Sequence, residues 1–97
     1  MTDKINIRLG SLADLDSIFN IEGSAFIADS WSIKMIKLEL FKGPLSKSYI
    51  IELDGIVVGF AFVTILKYEV HSNRIAIEPI YQKKGYGLHL LEKILEE

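Results

Sequence analysis

Residues 75–88 form the segment that most constrains the fold of this chain, because an apolar strand pattern there stops and a helix pattern replaces it. The strand pattern ends at Pro79, and Gly85 and Gly87 stand where the helical periodicity begins. The first N–H groups of a helix lack partners within the helix, and the helix dipole adds about half a positive charge at that end. Glycines let an anion approach the backbone, and Lys83 and Lys84 add positive charge. The segment therefore predicts a loop that binds a diphosphate, the alternative being an ordinary strand-to-helix connection with solvated lysines.

The first half of the chain predicts one strand followed by two helices. Residues 5–9 alternate apolar and polar side chains, as a strand with one buried face does. Residues 11–14 carry a capping pattern for a helix that we expect to reach about residue 24. A second helix is expected from a serine cap at residue 30 or 32 through residue 41, where Gly43-Pro44 stops it.

The second half predicts a hairpin, a further strand and a helix. Strands over residues 48–53 and 56–66 are expected to be joined by a tight turn at Asp54-Gly55. A strand over residues 68–77 and a helix over residues 85–97 follow. The apolar side of that helix is expected to consist of Leu88, Leu91, Ile94 and Leu95, and the hairpin core to include Tyr49, Phe60 and Phe62.

The resulting order, β-α-α-β-β-β-α, predicts an α/β (α+β) fold with a mainly antiparallel sheet flanked by helices. The length of 97 residues fits one domain over residues 1–97. A net charge of −2 argues against nucleic-acid binding, and the absence of cysteine excludes disulfides and a thiol nucleophile. No cluster of metal ligands is expected. The N-terminus lacks the apolar core of a signal peptide and the run over residues 56–66 is too short to span a bilayer, so we expect no membrane association and a cytoplasmic location.

The spacing Gln82-x-x-Gly85-x-Gly87 after an apolar strand resembles the acetyl-coenzyme A signature of the GCN5-related N-acetyltransferase (GNAT) superfamily. The spacings of a Rossmann fingerprint and of a Walker loop are not met. Within the superfamily, residues 21–26 (Ile-Glu-Gly-Ser-Ala-Phe) and 30–32 (Ser-Trp-Ser) resemble ribosomal-protein-alanine N-acetyltransferases, with Ser30 where those proteins have proline. The resemblance implies the N-terminal part of the acyl-CoA N-acyltransferase fold.

The resemblance also implies a site for acetyl-coenzyme A as cosubstrate. In that family the loop amides hold the diphosphate, and the preceding strand binds the pantetheine arm through its backbone. Carried over to this chain, the strand residues are Ile75, Ala76 and Ile77, and the loop residues are Gln82, Lys83, Lys84, Gly85, Tyr86, Gly87 and Leu88.

Two residues are candidates for accepting the proton of an amine that attacks the thioester directly. Glu69 and His71 stand at alternate positions of the predicted strand, so we expect them to share a face with Asn73 and Ile75. A water-relayed base is the functional hypothesis for Glu69, and proton acceptance is that for His71. The alternatives are a solvated carboxylate and a packing or surface histidine.

Three residues are candidates for binding the amine acceptor. The family resemblance places Glu22, Phe26 and Trp31 in one wall of the acceptor groove, where the acceptor is expected to be a protein N-terminal α-amine. The alternative is that both aromatic residues only close the sheet, with Glu22 exposed.

The resembling family has further elements beyond the helix in which this sequence ends, so we expect the C-terminal third of its domain to be lacking. Those elements include the tyrosine that protonates the leaving thiolate, and no residue here matches it. Without them the strand over residues 68–77 is expected to be an exposed sheet edge that forms a homo-oligomer or pairs with another chain. The alternative function is a catalytically impaired acetyl-coenzyme A-binding or interaction module that needs a second chain.

Overall fold

A computed structural model of the protein describes residues 4–96, which contain four strands and three α-helices. In chain order these are β1 (Ile5–Leu9), α1 (Leu15–Ala25), α2 (Ile33–Leu40), β2 (Ser46–Leu53), β3 (Ile56–Leu66), β4 (Glu69–Ile77) and α3 (Tyr86–Glu96). The strands form one antiparallel sheet in the order β1-β2-β3-β4. This confirms the predicted fold class and element order. The predicted continuation of the last helix to Glu97, and the first three residues of the N-terminus, lie outside the described residues.

Local chemistry explains where most elements begin and end. Asp54 and Gly55 both have positive φ, 50° and 84°, which gives the β2–β3 hairpin the tight turn that its sequence predicts. The hydroxyl of Ser32 accepts a hydrogen bond from the N–H of Met35 at 3.2 Å, so Ser32 and not Ser30 caps α2. β4 ends one residue before Glu78, and Pro79 begins a short 3-10 turn, Pro79–Tyr81, that the sequence analysis did not predict.

The sheet is covered by helices on both faces. On one face, Ile18 and Ile21 of α1 and Ile36 of α2 pack against Phe60 and Phe62 of β3. On the other face, Leu90 and Ile94 of α3 pack against a group of strand residues that includes Tyr49, Ile51, Ala61 and Val63. The predicted core positions Tyr49, Phe60 and Phe62 are all buried, which confirms them. Within residues 4–96 no helix has both the length and the apolar content needed to cross a bilayer.

The buried side of α3 differs from the prediction. Leu90 and Ile94 are buried, whereas Leu88, Leu91 and Leu95 are exposed. Residues four apart on a helix lie on the same face, so the row that contains Leu90 and Ile94 contacts the sheet. The predicted grouping was therefore wrong for the three exposed leucines, because the sequence has leucines on both sides of this helix and its periodicity did not choose between them.

An irregularity in β4 changes which of its residues share a face. Arg74 is paired with Phe62 and Ser72 with Val63, so Asn73 is an extra residue in the ladder. His71 is paired with Thr64, which lies on the same side of β3 as Phe62. Glu69 and His71 therefore face the α1–α2 side together with Arg74, and the expectation that they share a face with Ile75 was wrong, because the bulge reverses the alternation between them.

An ion-pair network joins the start of α1 to the edge strand β1 and its neighbour β2. The guanidinium of Arg8 on β1 donates to both carboxylate oxygens of Asp14, at 2.8 and 2.9 Å, and to Glu52 on β2 at 3.2 Å. Asp14 also accepts from the backbone N–H of Ser11 at 2.9 Å, which is one half of the predicted capping pattern. Hydrogen bonding from Arg8 holds the pKa of the Asp14 carboxyl below its ordinary value of 3.8.

We expect Gly59→Ala to lower the free energy of unfolding by about 1–3 kcal/mol, because a side chain there overpacks the sheet. A Cβ on Gly59 would lie 2.5 Å from Ile77 Cδ1, 2.8 Å from the Ala76 carbonyl oxygen and 2.9 Å from Ile51 Cγ2. Gly23→Ala is the matched control, since Gly23 lies in α1 with nothing within 4 Å of an added Cβ. Urea denaturation followed by circular dichroism should show unchanged or increased stability for the control. Equal stability of the Gly59 variant and the wild type would contradict this packing argument.

We expect the Arg8–Asp14 interaction to stabilise the protein at neutral pH and not in acid. Because the pKa of Asp14 is lowered in the folded state, its contribution is fully present above the ordinary value of 3.8 and is lost as the pH falls through the lower folded value. Arg8→Met should therefore cost about 1 kcal/mol of unfolding free energy at neutral pH, a small figure because Arg8 is half-exposed, and less near pH 2. Urea denaturation at both pH values measures the difference. Lys42→Met, which removes an exposed ion pair with Glu39, is the control. An Arg8→Met deficit of the same size at both pH values would contradict the assignment to Asp14.

Candidate functional site

The loop between β4 and α3 and the first turn of α3 present backbone donors that no group within residues 4–96 uses. The N–H of Gln82 donates to the Pro79 carbonyl at 3.2 Å, and the first bond into the helix runs from the N–H of His89 to the Gly85 carbonyl at 3.0 Å. Within the described residues 4–96, the intervening amides of five residues have no acceptor: Lys83, Lys84, Gly85, Gly87 and Leu88. An unpaired row of donors at a helix start is suited to binding an anion.

The loop adopts this shape through two residues with left-handed backbone. Gly85 has φ of 86° and Lys83 has φ of 64°. For Gly85 this conformation is free of steric cost, whereas for lysine it is uncommon and costs about 1–2 kcal/mol. Strained residues of this kind are concentrated where backbone is shaped for a ligand.

The side chain of Gln82 fixes the loop to the end of β4. Its Nε2 donates to the carbonyl oxygen of Ile77 at 2.9 Å. This bond spans the 3-10 turn and closes the strand end, so the loop cannot swing away from residues 75–77 without losing it. Lys84 places its Nζ 6.0 Å from the centre of the Tyr81 ring, while Lys83 and Lys84 both remain exposed beside the unpaired amides.

A cleft of about 430 Å³ lies between the end of β4, the end of α1 and the start of α3. Its lining residues are Ala25, Phe26, Ile75, Ala76, Ile77, Gln82, Gly87, Leu88 and Leu91. The walls are mostly apolar, and Gly87 and Leu88, whose amides are unpaired, are among the lining residues. A cleft of this size, with donors at one end, fits a long ligand that has an anionic group and an apolar arm.

The cleft borders strand backbone that can bind a ligand. β4 pairs with β3 along one side only, and among residues 4–96 no strand lies on its other side. Outward-facing N–H and C=O groups of β4 are therefore available, with the exception of the Ile77 carbonyl, which accepts from Gln82. A larger hollow of about 540 Å³ on the outer side of α2 shares no residue with this loop and lies on the surface of one helix.

The structure brings Glu22, Phe26 and Trp31 together around a residue that the sequence analysis missed. Glu22 is fully buried and accepts from the backbone N–H of Trp31 at 2.8 Å and from Nε of Arg74 at 3.1 Å. Nη2 of Arg74 donates to the same carboxylate. Both aromatic rings are half-buried, and Phe26 lines the cleft while Glu22 does not. The carboxylate of Glu22 is thus occupied by protein donors, and the alternative of an exposed Glu22 is excluded.

The sequence nevertheless contained a signal from which the pairing of Arg74 with Glu22 could have been predicted. It is a charged residue directly before the apolar run at residues 75–77, and Glu22 is a charged residue on the apolar side of α1. Buried charges in protein interiors are paired, so each of these residues indicates a partner of opposite charge. Their separation of 52 positions in the chain is what hid the pairing.

Glu69 and His71 form an exposed pair at the far end of β4. Oε2 of Glu69 lies 2.8 Å from Nε2 of His71, and more than half of each side chain is accessible to solvent. His71 is five residues from Ala76, which corresponds to roughly 15 Å along a strand. The pair is open to solvent, and neither residue lines the cleft. Among the described residues no group of three or more acidic, histidine or cysteine side chains could hold a metal ion.

Comparison with known families finds a match to one family model. Residues 44–97, more than half of the chain, match the model described as an acetyltransferase (GNAT) domain. That span runs from just before β2 through the loop and α3, so it contains both the strand residues 75–77 and the unpaired amides.

Individual proteins similar to this chain are also named as N-acetyltransferases. A Bacillus subtilis (strain 168) protein, provisionally named a ribosomal protein bS18-alanine N-acetyltransferase, is 29% identical over 96 residues, which are 99% of this chain and 63% of that protein. The crystal structure of the ribosomal-protein-S18-alanine N-acetyltransferase from Escherichia coli superposes with a TM-score of 0.86 at 27% identity, over 96% of this chain and 58% of that one. The chain thus spans less than two thirds of the length of either relative.

A third neighbour agrees in fold alone. The PaiA N-acetyltransferase from Thermoplasma acidophilum, whose crystal structure is a complex with coenzyme A, superposes with a TM-score of 0.81 at 18% identity, over 96% of this chain and 70% of that one.

Proposed function

The chain belongs to the family of acetyltransferase (GNAT) domains, and from that premise we propose that it transfers an acetyl group from acetyl-coenzyme A to an amine. The observation that carries the proposal is the row of unpaired backbone donors within residues 83–88, placed beside a cleft that opens along residues 75–77. We further propose a protein N-terminal α-amine as the acceptor. The names of the Bacillus subtilis and Escherichia coli relatives, both of which refer to alanine of a ribosomal protein, support this choice.

The shape of the cleft supports a proposal for the residues that hold the cosubstrate. The loop of residues 82–88 binds the diphosphate, with the amides of Lys83, Lys84, Gly85, Gly87 and Leu88 as donors, and Gln82 and Tyr86 belong to the same loop. The backbone of Ile75, Ala76 and Ile77 lies along the pantetheine arm. Phe26 and Leu91 supply apolar walls on opposite sides. Binding in this way aligns the thioester with the strand edge, and such positioning accounts for much of the rate gain in a direct transfer.

The transfer itself needs a proton acceptor and donors near the carbonyl. The amine nitrogen bonds to the acetyl carbonyl carbon, the carbon–sulfur bond breaks, and the amine gives up a proton while the departing sulfur takes one up. An outward-facing N–H of β4 beside residues 75–77 can stabilise the negative charge that develops on the carbonyl oxygen. Glu69 and His71 accept the amine proton through a chain of water molecules in this proposal, because roughly 15 Å of strand separates His71 from Ala76 and Glu69 lies two residues farther away.

The acceptor occupies the α1–α2 side of β4 in this proposal. Phe26 and Trp31 form its aromatic wall, with Glu22 behind them as a buried partner of Arg74. We also propose that two copies associate along the free edge of β4, which the exposure of residues 69–72 supports.

We expect Gly85→Ala to weaken binding of coenzyme A about tenfold, because an alanine at φ of 86° costs about 1–2 kcal/mol and shifts the loop that carries the donors. Isothermal titration calorimetry with coenzyme A measures the change. Gly55→Ala is a closely matched control, since Gly55 has φ of 84°, also has nothing within 4 Å of an added Cβ, and lies in the β2–β3 turn outside the cleft. Both variants should lose similar folding stability, and only the first should lose affinity. Equal affinities of the two variants would contradict the role of the loop.

We expect the protein to acetylate a peptide that begins with a free alanine and to leave the same peptide unmodified when its N-terminus is blocked. Mass spectrometry of the peptide, with thioester consumption followed in parallel, measures the transfer. Glu69→Gln and His71→Asn should lower turnover about 100-fold, the lower end of general base catalysis, while leaving coenzyme A affinity unchanged. His89→Asn is the control, because His89 is exposed on α3, on a different element.

These measurements distinguish a transferase from a module that only binds coenzyme A. Coenzyme A binding without thioester consumption would contradict the transferase proposal and favour the binding module. Acetylation of an internal lysine in the blocked peptide would retain the transferase and contradict the α-amine as acceptor.

A further inference from the structure

The carboxylate of Glu22 is the most deeply buried charge among the described residues, and three donors surround it. Its side chain is 0% exposed. The donors are the backbone N–H of Trp31, at 2.8 Å, and two side-chain nitrogens of Arg74. A buried carboxylate is tolerated when its oxygens are fully hydrogen-bonded and its charge is neutralised. Glu22 therefore ties together three separate parts of the chain: α1, the α1–α2 connection and β4.

The guanidinium of Arg74 extends this network over the α1–α2 connection. Its Cζ lies 3.6 Å from the centre of the Phe26 ring and 4.8 Å from that of Trp31, and Nη2 donates to the Asp29 carbonyl at 3.1 Å. The Trp31 ring in turn stacks on Phe62 of the sheet, with centroids 6.0 Å apart and an interplanar angle of 4°. Residues 26 and 31, the two aromatic residues of the connection, thus both contact one cation. Hydrogen bonding to Glu22 raises the pKa of Arg74 above its ordinary value.

The same network reaches the cleft from two directions. Arg74 directly precedes Ile75, Ala76 and Ile77 in β4, so its position and that of the strand edge are coupled through the backbone. Phe26, against which the guanidinium stacks, is a lining residue of that cleft. Arg74 itself does not line it.

We propose that Arg74 is a positioning residue: paired with Glu22, it fixes residues 26–31 against the end of β4 and thereby holds Phe26 in place as one wall of the cleft. The effect of Arg74 on coenzyme A binding rests on the proposed function. The effect of Arg74 on the order of residues 26–31 does not. A lysine cannot replace it, because an ammonium cannot bridge Glu22, the Asp29 carbonyl and two ring faces at once.

The single tryptophan of the sequence makes the ordering measurable without any ligand. Trp31 lies within residues 26–31, and its backbone N–H is one of the donors to Glu22. Acrylamide quenching of Trp31 fluorescence and hydrogen exchange of the Trp31 amide both report on residues 26–31 in the free protein.

The test compares Arg74→Met, Arg74→Lys and the double variant Glu22→Gln with Arg74→Gln. The double variant leaves no unpaired buried charge, so it keeps the test valid where Arg74→Met does not fold. Arg8→Met is the matched control, because Arg8 is also a partly buried arginine in an ion pair with carboxylates, those of Asp14 and Glu52, and none of these three residues lines the cleft. All comparisons are made on samples shown by circular dichroism to be folded.

We expect the Arg74 variants, and not Arg8→Met, to raise the quenching constant of Trp31 about twofold and its amide exchange rate about tenfold, since the local order of the segment is lost. In the same variants the dissociation constant of coenzyme A should rise about tenfold, because the cleft wall must then be ordered on binding. Arg74→Lys should recover little of either effect.

Other results would contradict either the role of Arg74 in ordering residues 26–31 or the connection of that role to the cleft. Unchanged quenching and exchange in folded Arg74 variants would overturn the proposal, and so would an affinity loss of equal size in Arg8→Met. Altered quenching with unchanged coenzyme A affinity would overturn the connection to the cleft. If the wild type binds no coenzyme A, the proposed function fails, and the Trp31 measurements still decide whether Arg74 fixes residues 26–31.

Discussion

The end of β4 is fixed in space by three contacts on which the site depends. The bare Cα of Gly59 lets β3 approach β4 so closely that an added Cβ would lie 2.8 Å from the Ala76 carbonyl. The N–H of Glu78 donates to the Val58 carbonyl at 2.7 Å, and the Gln82 side chain donates to the Ile77 carbonyl at 2.9 Å. The strand is thus held up to the proline that ends it, and the donor-bearing loop and α3 start from a defined position.

Helix α1 is attached to the sheet by an ion pair at each end. Just before its first turn, Asp14 pairs with Arg8 on the edge strand β1, and near its last turn Glu22 pairs with Arg74 on the opposite edge strand β4. Between the two pairs, Ile18 is fully buried against the centre of the sheet. Apolar packing is not directional, whereas hydrogen-bonded ion pairs fix geometry, so the two pairs define how the helix crosses the strands. The second pair is the one that also borders the cleft.

The fold was predictable where local chemistry decides the conformation. Asp54-Gly55 specified the hairpin because few other residues adopt positive φ at two successive positions, and Ser32 specified a helix start through its hydroxyl. The 3-10 turn after Pro79 and the bulge at Asn73 were missed, because neither alters the apolar pattern of the chain enough to be recognised. The bulge mattered most, since it moved Glu69 and His71 to the opposite face from Ile75.

The sequence by itself determined the element order and the glycine-spaced loop whose backbone leaves donors unpaired, since steric limits on φ and ψ and helix-end geometry act within a few residues. Only the tertiary structure decided which leucines of α3 are buried and that Glu22 pairs with Arg74 across 52 positions. Burial and ion pairing involve residues brought together by the whole sheet. Side chains with two possible faces or several possible partners are assigned only when that sheet is in place.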